Sequence, residues 1–189
     1  MLDRSIFNLI PLREKSKMPA ISWGEFKDKK YDGELKTVNY AVICGQVSEC
    51  VVIDIDSPEL TPEIFQGWED LKKKTLVVKT GSGGYHIYTK PKNGQYPPKM
   101  PLTNDRGQHI DIQSTGSYVL GPGSIHPNGN RYEIISTTTQ VLEMDIINFL
   151  EHLKKWGFNT EYGGLKRFDE IAKGNLAKGE RNNSAFKYA

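Results

Sequence analysis

Cysteine is scarce in this chain, and so is net charge. Its 189 residues contain two cysteines, Cys44 and Cys50, and none after them. Without a neighbouring histidine or further thiols, two cysteines do not make a zinc site, so no zinc is expected. They flank Gly45-Gln46-Val47-Ser48-Glu49 and are expected as buried free thiols, a cross-strand disulfide being the alternative. The formal net charge is only +2. That total does not identify a nucleic-acid binder, for which the local distribution of charge matters more. No apolar run approaches the length of a membrane span. Met1-Leu2-Asp3-Arg4 lacks the basic region and apolar core of a secretory signal. The expectation is a cytoplasmic protein with no membrane partner. Internal repeats and low-complexity stretches are also lacking. A hydrophobic content of 37% with 25% charged residues suits a folded globular chain, long enough for one large domain or a compact two-lobed one.

What is present centres on Val51-Val52-Ile53-Asp54-Ile55-Asp56. Apolar, β-favouring residues lead into two acids one residue apart. On a strand, Ile53 and Ile55 point into a core while Asp54 and Asp56 share the opposite face, roughly 6–7 Å apart at Cα. Carboxylates that close repel unless something positive lies between them. The natural guest of such an all-oxygen pair is Mg²⁺ or Mn²⁺. The bland alternative is an ordinary strand end, with Asp56 capping the segment that starts at Ser57-Pro58-Glu59.

Around this stretch the pattern alternates between strands and helices. Ile6–Leu12 reads as a first strand, and Ser22 caps a short helical segment holding Trp23 and Phe26. Val38–Cys44 reads as a strand forming a hairpin with Cys50–Ile55. Pro62–Lys74 carries Ile64, Phe65, Trp68 and Leu71 at helical spacing and ends in three lysines. Thr75–Thr80, Tyr85–Lys90, His109–Gln113, Tyr118–Leu120 and Arg131–Ile135 read as strands. Asn93–Asp105 and Gly121–Asn130, rich in Gly, Pro and Asn, read as loops, and long loops often serve a site. Met144–Trp156 reads as an amphipathic helix. Hairpins with few βαβ repeats predict an α+β (mixed α/β) fold. A domain over 1–157 is expected, followed by a short helical extension over 158–189 that contains a Gly163-Gly164 linker, Leu165–Lys173 and a basic tail.

Three stretches carry chemistry. Beside Asp54 and Asp56 stands the turn Gly81-Ser82-Gly83-Gly84, whose backbone N–H groups can form an anion nest, followed by His86 at the head of a strand. The plain alternative is a hairpin turn with a half-exposed histidine. The third stretch, Ile110-Asp111-Ile112, repeats the logic of Ile53-Asp54-Ile55, its alternative being an acid on the wet face of a sheet. Together, three acids, a histidine and a phosphate-cradling turn suit two-metal nucleotidyl transfer.

These stretches, in this order, resemble the primase–polymerase (prim-pol) domain of the archaeo-eukaryotic primase superfamily, found in replication proteins of archaeal plasmids and mobile elements. Asn39-Tyr40-Ala41-Val42-Ile43-Cys44-Gly45 followed by Val51–Asp56 is similar to the approach to the family's acidic motif I. Thr80–Tyr88 resembles the motif II histidine region. Ile110-Asp111-Ile112 with Gly116-Ser117-Tyr118-Val119 resembles motif III and the strand after it. Pro122–Tyr132 is similar to the Ser-x-His loop, and Lys17-x-Pro19 with Trp23 matches an upstream lysine–proline element. The sequence departs from many members at Gly84, two residues before the motif II histidine, where they carry serine.

The resemblance implies an α/β module packed on an RNA-recognition-like module, with the active site in the cleft between them. It implies a DNA primase/polymerase in which Asp54, Asp56 and Asp111 hold the catalytic Mg²⁺ or Mn²⁺. His86 would contact the nucleotide's phosphates, assisted by backbone groups of Ser82, Gly83 and Gly84. Ser124 and His126 would lie near the nucleotide, and Lys17 and Arg131 would offer charge to triphosphate or template, solvated surface cations being the alternative for those two. The implied partners are a single-stranded DNA template and NTP or dNTP. Lys178–Asn183 is similar to the opening of a helical region that often follows the domain, so a longer protein with a helicase part is a further expectation. Two other readings stay open on the residues themselves: a metal-dependent nuclease using the same carboxylates, and a non-catalytic single-stranded nucleic-acid binding module in which Tyr85, Tyr88 or Tyr118 stack bases.

Overall fold

The computed structural model describes residues 1–160. The Gly163-Gly164 linker, Leu165–Lys173 and the basic tail lie outside the described residues. Ten strands and three short helices give the mixed α+β architecture that the sequence predicts. In chain order they are β1 (Leu9–Pro11), β2 (Tyr40–Ile43), β3 (Val51–Ile55), α1 (Thr61–Ile64), α2 (Trp68–Lys74), β4 (Val77–Lys79), β5 (Tyr85–Pro91), β6 (Met100–Thr103), β7 (His109–Gln113), β8 (Tyr118–Leu120), β9 (Glu133–Ile134), β10 (Leu142–Met144) and α3 (Ile146–Lys154). Among the described residues no helix is long and apolar enough to cross a membrane.

The strands form two sheets. A three-stranded sheet runs β1-β2-β8, and a seven-stranded one runs β6-β7-β3-β5-β4-β9 with β10 alongside β5. All pairings are antiparallel except β10 with β5. The alternation along β3 sets the layering. Val51, Ile53 and Ile55 face one core, shared with Ile64, Phe65, Phe149, Leu150 and Leu153 of the helical layer. Val52, with Val78 and Tyr88 of neighbouring strands, faces a second core built with Leu9, Ile10, Val42, Ile43 and Val119 of the small sheet. The large sheet is thus a middle layer with helices on one face and the small sheet on the other, and both faces of its central strands are apolar over most of their length.

Several expectations about individual elements are corrected. Val38–Cys44 and Cys50–Ile55 do not form a hairpin: β2 belongs to the small sheet and β3 to the large one, with a single bridge between Gly45 and Cys50. A 3₁₀ turn over Gln46–Ser48, entered at Gly45 with φ 99° and left at Glu49 with φ 45°, redirects the chain from one layer to the other. Pro62–Lys74 is two helices rather than one, divided at Gly67 with φ 79°. The stretch read as a loop over Asn93–Asp105 contains β6, an edge strand in which Pro101 is tolerated because one side needs no ladder partner. Arg131–Ile135 is a strand only at Glu133–Ile134. Phe158 is buried in the helical-side core and the Asn159 N–H reaches the Thr103 carbonyl at 3.3 Å, so the chain still packs on β6 just past 157. Cys44 and Cys50 are buried free thiols.

Gly84 is where β5 comes closest to the end of β3. A Cβ placed there would stand 2.1 Å from the Ile55 carbonyl oxygen, a backbone atom that cannot rotate away. Gly84→Ala is therefore expected to lose about 1–3 kcal/mol through forced backbone displacement, seen as a fall of several degrees in the thermal midpoint; an unchanged midpoint would contradict the close approach.

Candidate active site between the two sheets

The register of the large sheet assembles the site. Asp54 on β3 lies directly opposite His86 on β5 and directly opposite Asp111 on β7. Directly paired side chains on adjacent strands share a face, with Cβ atoms about 4.5–5.5 Å apart. His86, Asp54 and Asp111 therefore form a row across three strands, on the face turned toward the small sheet. Where the row crosses, the two sheets do not close on each other. A cleft of about 330 Å³ remains, lined by Asp54, His86, Gln113 and Lys99 on one side and by Tyr118, Val119 and Leu120 of β8 on the other, with Lys17, Trp23 and Tyr132 at its margins. Trp23 and Tyr118 meet edge to face, centroids 5.0 Å apart.

Burial dominates the electrostatics of the row. His86 is 4% exposed, and its pKa is pulled down to about 3, chiefly by loss of water and secondarily by Lys17. The approach of its Nε2 to Asp54 Oδ1 at 3.4 Å is thus a contact between a neutral imidazole and a carboxyl group, not an ion pair. Nδ1 of the same ring is buried without a hydrogen-bond partner. Burial raises the Asp54 pKa to about 6, the charge of Asp56 adds to this, and Gln113, Lys17 and Lys99 oppose it. Asp111 is raised as well, first by burial, with Lys99 opposing and Asp54 and Asp56 adding. Its Oδ2 accepts from Gln113 Nε2 at 3.2 Å and lies 3.8 Å from Lys99 Nζ. Burial and the charges of Asp54 and Asp56 also push the Tyr132 hydroxyl up.

The other predicted residues fall into two groups. Asp56 lies just past the end of β3 and is exposed, close enough for its charge to act on Asp54, Asp111 and His86. Lys17 is exposed at the cleft. The turn at Ser82, Gly83 and Gly84 is not part of the cleft wall. The Gly83 N–H already donates to the Thr80 carbonyl at 3.0 Å, and the Ser82 and Thr80 hydroxyls pair at 3.0 Å. This turn is stitched to the Ser-x-His loop, since the Asn128 and Asn130 side-chain amides both donate to the Gly81 carbonyl at 2.9 Å. Ser124 is fully buried; its hydroxyl donates to the Tyr40 carbonyl and accepts from the Tyr40 N–H, which pins the loop to β2. His126 packs beside Tyr132, ring centroids 6.2 Å apart, and its Nδ1 accepts from the Asn128 N–H at 3.2 Å. Arg131 donates to the Gly123 carbonyl at 2.8 Å.

Sequence reasoning missed Lys99, Gln113 and Tyr132. Gln113 carries a signal: it is two residues from Asp111 on one strand and so shares its face. Lys99, just before β6, had none, because that strand was hidden by the surrounding Pro and Gly. The donors suit a hard divalent cation. Asp54 and Asp111 are directly opposed in register, Asp56 is near, and burial together with the neighbouring carboxylates disfavours their charged forms, a penalty that a bound cation would offset. Among the described residues no three His, Cys, Asp or Glu side chains are gathered as a ready cage; Asp54 Oδ1 is turned to His86 and Asp111 Oδ2 to Gln113 and Lys99.

A carboxyl group whose folded pKa lies above its unfolded value stabilises the fold while protonated and loses that contribution as pH rises. Raised from 3.8 to about 6, Asp54 is expected to cost about 3 kcal/mol at pH 7 relative to pH below 4. Asp54→Asn should therefore melt higher than the wild type at pH 7 in chelator, with the gain shrinking to nothing near pH 4. Melting curves across that range check this, and an equal gain at both ends would contradict it.

No curated protein matches the sequence. Residues 2–146 match the Prim-Pol family, described as "Bifunctional DNA primase/polymerase, N-terminal". The match spans β1 through β10 and contains Asp54, His86 and Asp111. The chain belongs to the Prim-Pol family of primase/polymerase domains.

Proposed function

We propose that this domain catalyses template-dependent nucleotidyl transfer from nucleoside triphosphates, making or extending primers on single-stranded DNA with two divalent ions, Mg²⁺ or Mn²⁺. The observation that carries the reading is the row His86–Asp54–Asp111 across adjacent strands β5, β3 and β7, with His86 and Asp54 lining a cleft. Family membership supports a primase/polymerase-type activity in general; the mechanism and substrates are inferred from the residues.

Asp54, Asp56 and Asp111 would hold the ions. When bound, these neutralise the triphosphate and lower the pKa of the attacking hydroxyl. The remaining roles fall to the chain itself. His86, neutral and buried at the floor of the cleft, serves as a fixed hydrogen-bonding group beside the phosphates rather than as a positive charge. Positive charge comes from Lys17 and Lys99, which lie at the cleft and act on the carboxylates from positions far apart in sequence. The wall formed by Tyr118 and Trp23 is suited to the flat surfaces of sugar and base. Ser124, locked to Tyr40, contributes by holding the loop that carries His126 and Tyr132.

Replacing Asp54 and Asp111 together with alanine is expected to abolish incorporation of labelled nucleotide on a primed single-stranded template in Mn²⁺ or Mg²⁺. Full activity in the double variant would refute the proposal. Template cleavage by the wild type with no incorporation would favour a nuclease instead. Lys99→Ala should raise the KM for the triphosphate roughly tenfold through loss of a charged contact, with a smaller change in kcat; an unchanged KM would remove Lys99 from the substrate contacts.

A further inference from the structure

Gln113 is placed to do more than fill space. It is 7% exposed and lies at the end of β7, on the same face as Asp111 and beside the position that Asp54 occupies on β3. Its Nε2 donates to Asp111 Oδ2 at 3.2 Å. Gln113 lines the same cleft as Asp54 and opposes the rise in the Asp54 pKa that burial and Asp56 cause. A primary amide carries two N–H donors and no charge, so it can hold a carboxylate without neutralising it. The other end of the side chain shows what sets this orientation. Gln113 Oε1 is buried with no hydrogen-bond partner. An unpaired buried acceptor is unfavourable, and the orientation is the one in which the Asp111 carboxylate claims the nitrogen.

We propose that Gln113 is a positioning residue that fixes the Asp111 carboxylate, beside Asp54, for a divalent ion. The inference rests on the metal-dependent reading above. The two acids come from different strands and repel each other, so each would swing outward if its orientation were free. A neutral donor on Asp111 opposes that swing without adding a charge that would compete with the cation. Lys99 cannot do this, because it approaches Asp111 at 3.8 Å from an exposed rim. Outer groups that orient metal-binding carboxylates typically contribute 10–100-fold in metal affinity.

The test compares Gln113→Met, which keeps the volume and removes the donors, with Gln113→Asn, which keeps the amide and shortens its reach. Mn²⁺ binding is read by electron paramagnetic resonance on the 189-residue chain without nucleotide or DNA, alongside the thermal midpoint. The methionine variant is expected to melt at or above the wild type, since the orphaned acceptor is gone, while its Mn²⁺ affinity falls roughly 10–100-fold. The asparagine variant should lose affinity in the same direction. A purely structural role would move the midpoint and leave the affinity of the folded protein alone. A folded methionine variant that binds Mn²⁺ as tightly as the wild type overturns the proposal, and if that variant does not fold, the asparagine variant decides on the same readout. Asp54→Asn is the control: if it abolishes Mn²⁺ binding while the Gln113 variants bind normally, only the positioning role fails. If Asp54→Asn also binds normally, the metal-dependent reading fails with it.

Discussion

The site depends on strand register. β3 is hydrogen-bonded on both edges, and its pairing sets Asp54 opposite His86 on one side and Asp111 on the other. A slip of one residue would turn Asp54 into the apolar layer beside Phe149 and Leu150 and turn Ile53 or Ile55 toward the cleft. The apolar residues of β3 are therefore not separate from its function. Val51, Ile53 and Ile55 are bound by the helical-side core, Val52 by the other, and between them they leave one position where a carboxylate can face the gap. Burying two faces of one strand fixes where its charge must stand.

That fixed charge is held at a thermodynamic disadvantage. Asp54 is pushed toward protonation by burial and by Asp56, and Asp111 by burial and by Asp54 and Asp56, while His86 is pushed toward neutrality. Nothing in the hydrophobic layers requires this arrangement, and an amide would sit there more comfortably. The neighbours only moderate it: Lys17 and Lys99 act from the margins, and Gln113 donates from within the sheet. Residual repulsion of this kind gives an incoming cation something to relieve.

Much of this was legible in the sequence, and the limits follow a pattern. Local alternation around Ile53-Asp54-Ile55 and Ile110-Asp111-Ile112 gave the correct face for both acids, because side-chain period on a strand is a local property. The order of the motifs gave the family. Partnering was less accessible. A short link between two strand-like runs reads as a hairpin, yet Gly45 and Glu49 take up positive φ and send β2 and β3 into separate sheets. β6 was concealed by Pro101 in an edge strand, and with it Lys99. The bonds of the Ser124 hydroxyl to the Tyr40 N–H and carbonyl were not legible either, because a hydroxyl's hydrogen-bond partners are set by tertiary packing.

The link between β2 and β3 has a mechanical meaning. Cys44 and Cys50 at its two ends are buried in the same apolar cluster as Val52 and Val119, so the layers are fastened together next to the gap rather than joined by a slack tether. A molecule fastened there has no jaw to swing at that end. Ligands of different width would then be met by rotation of the rim side chains Lys17, Trp23, Lys99 and Tyr118.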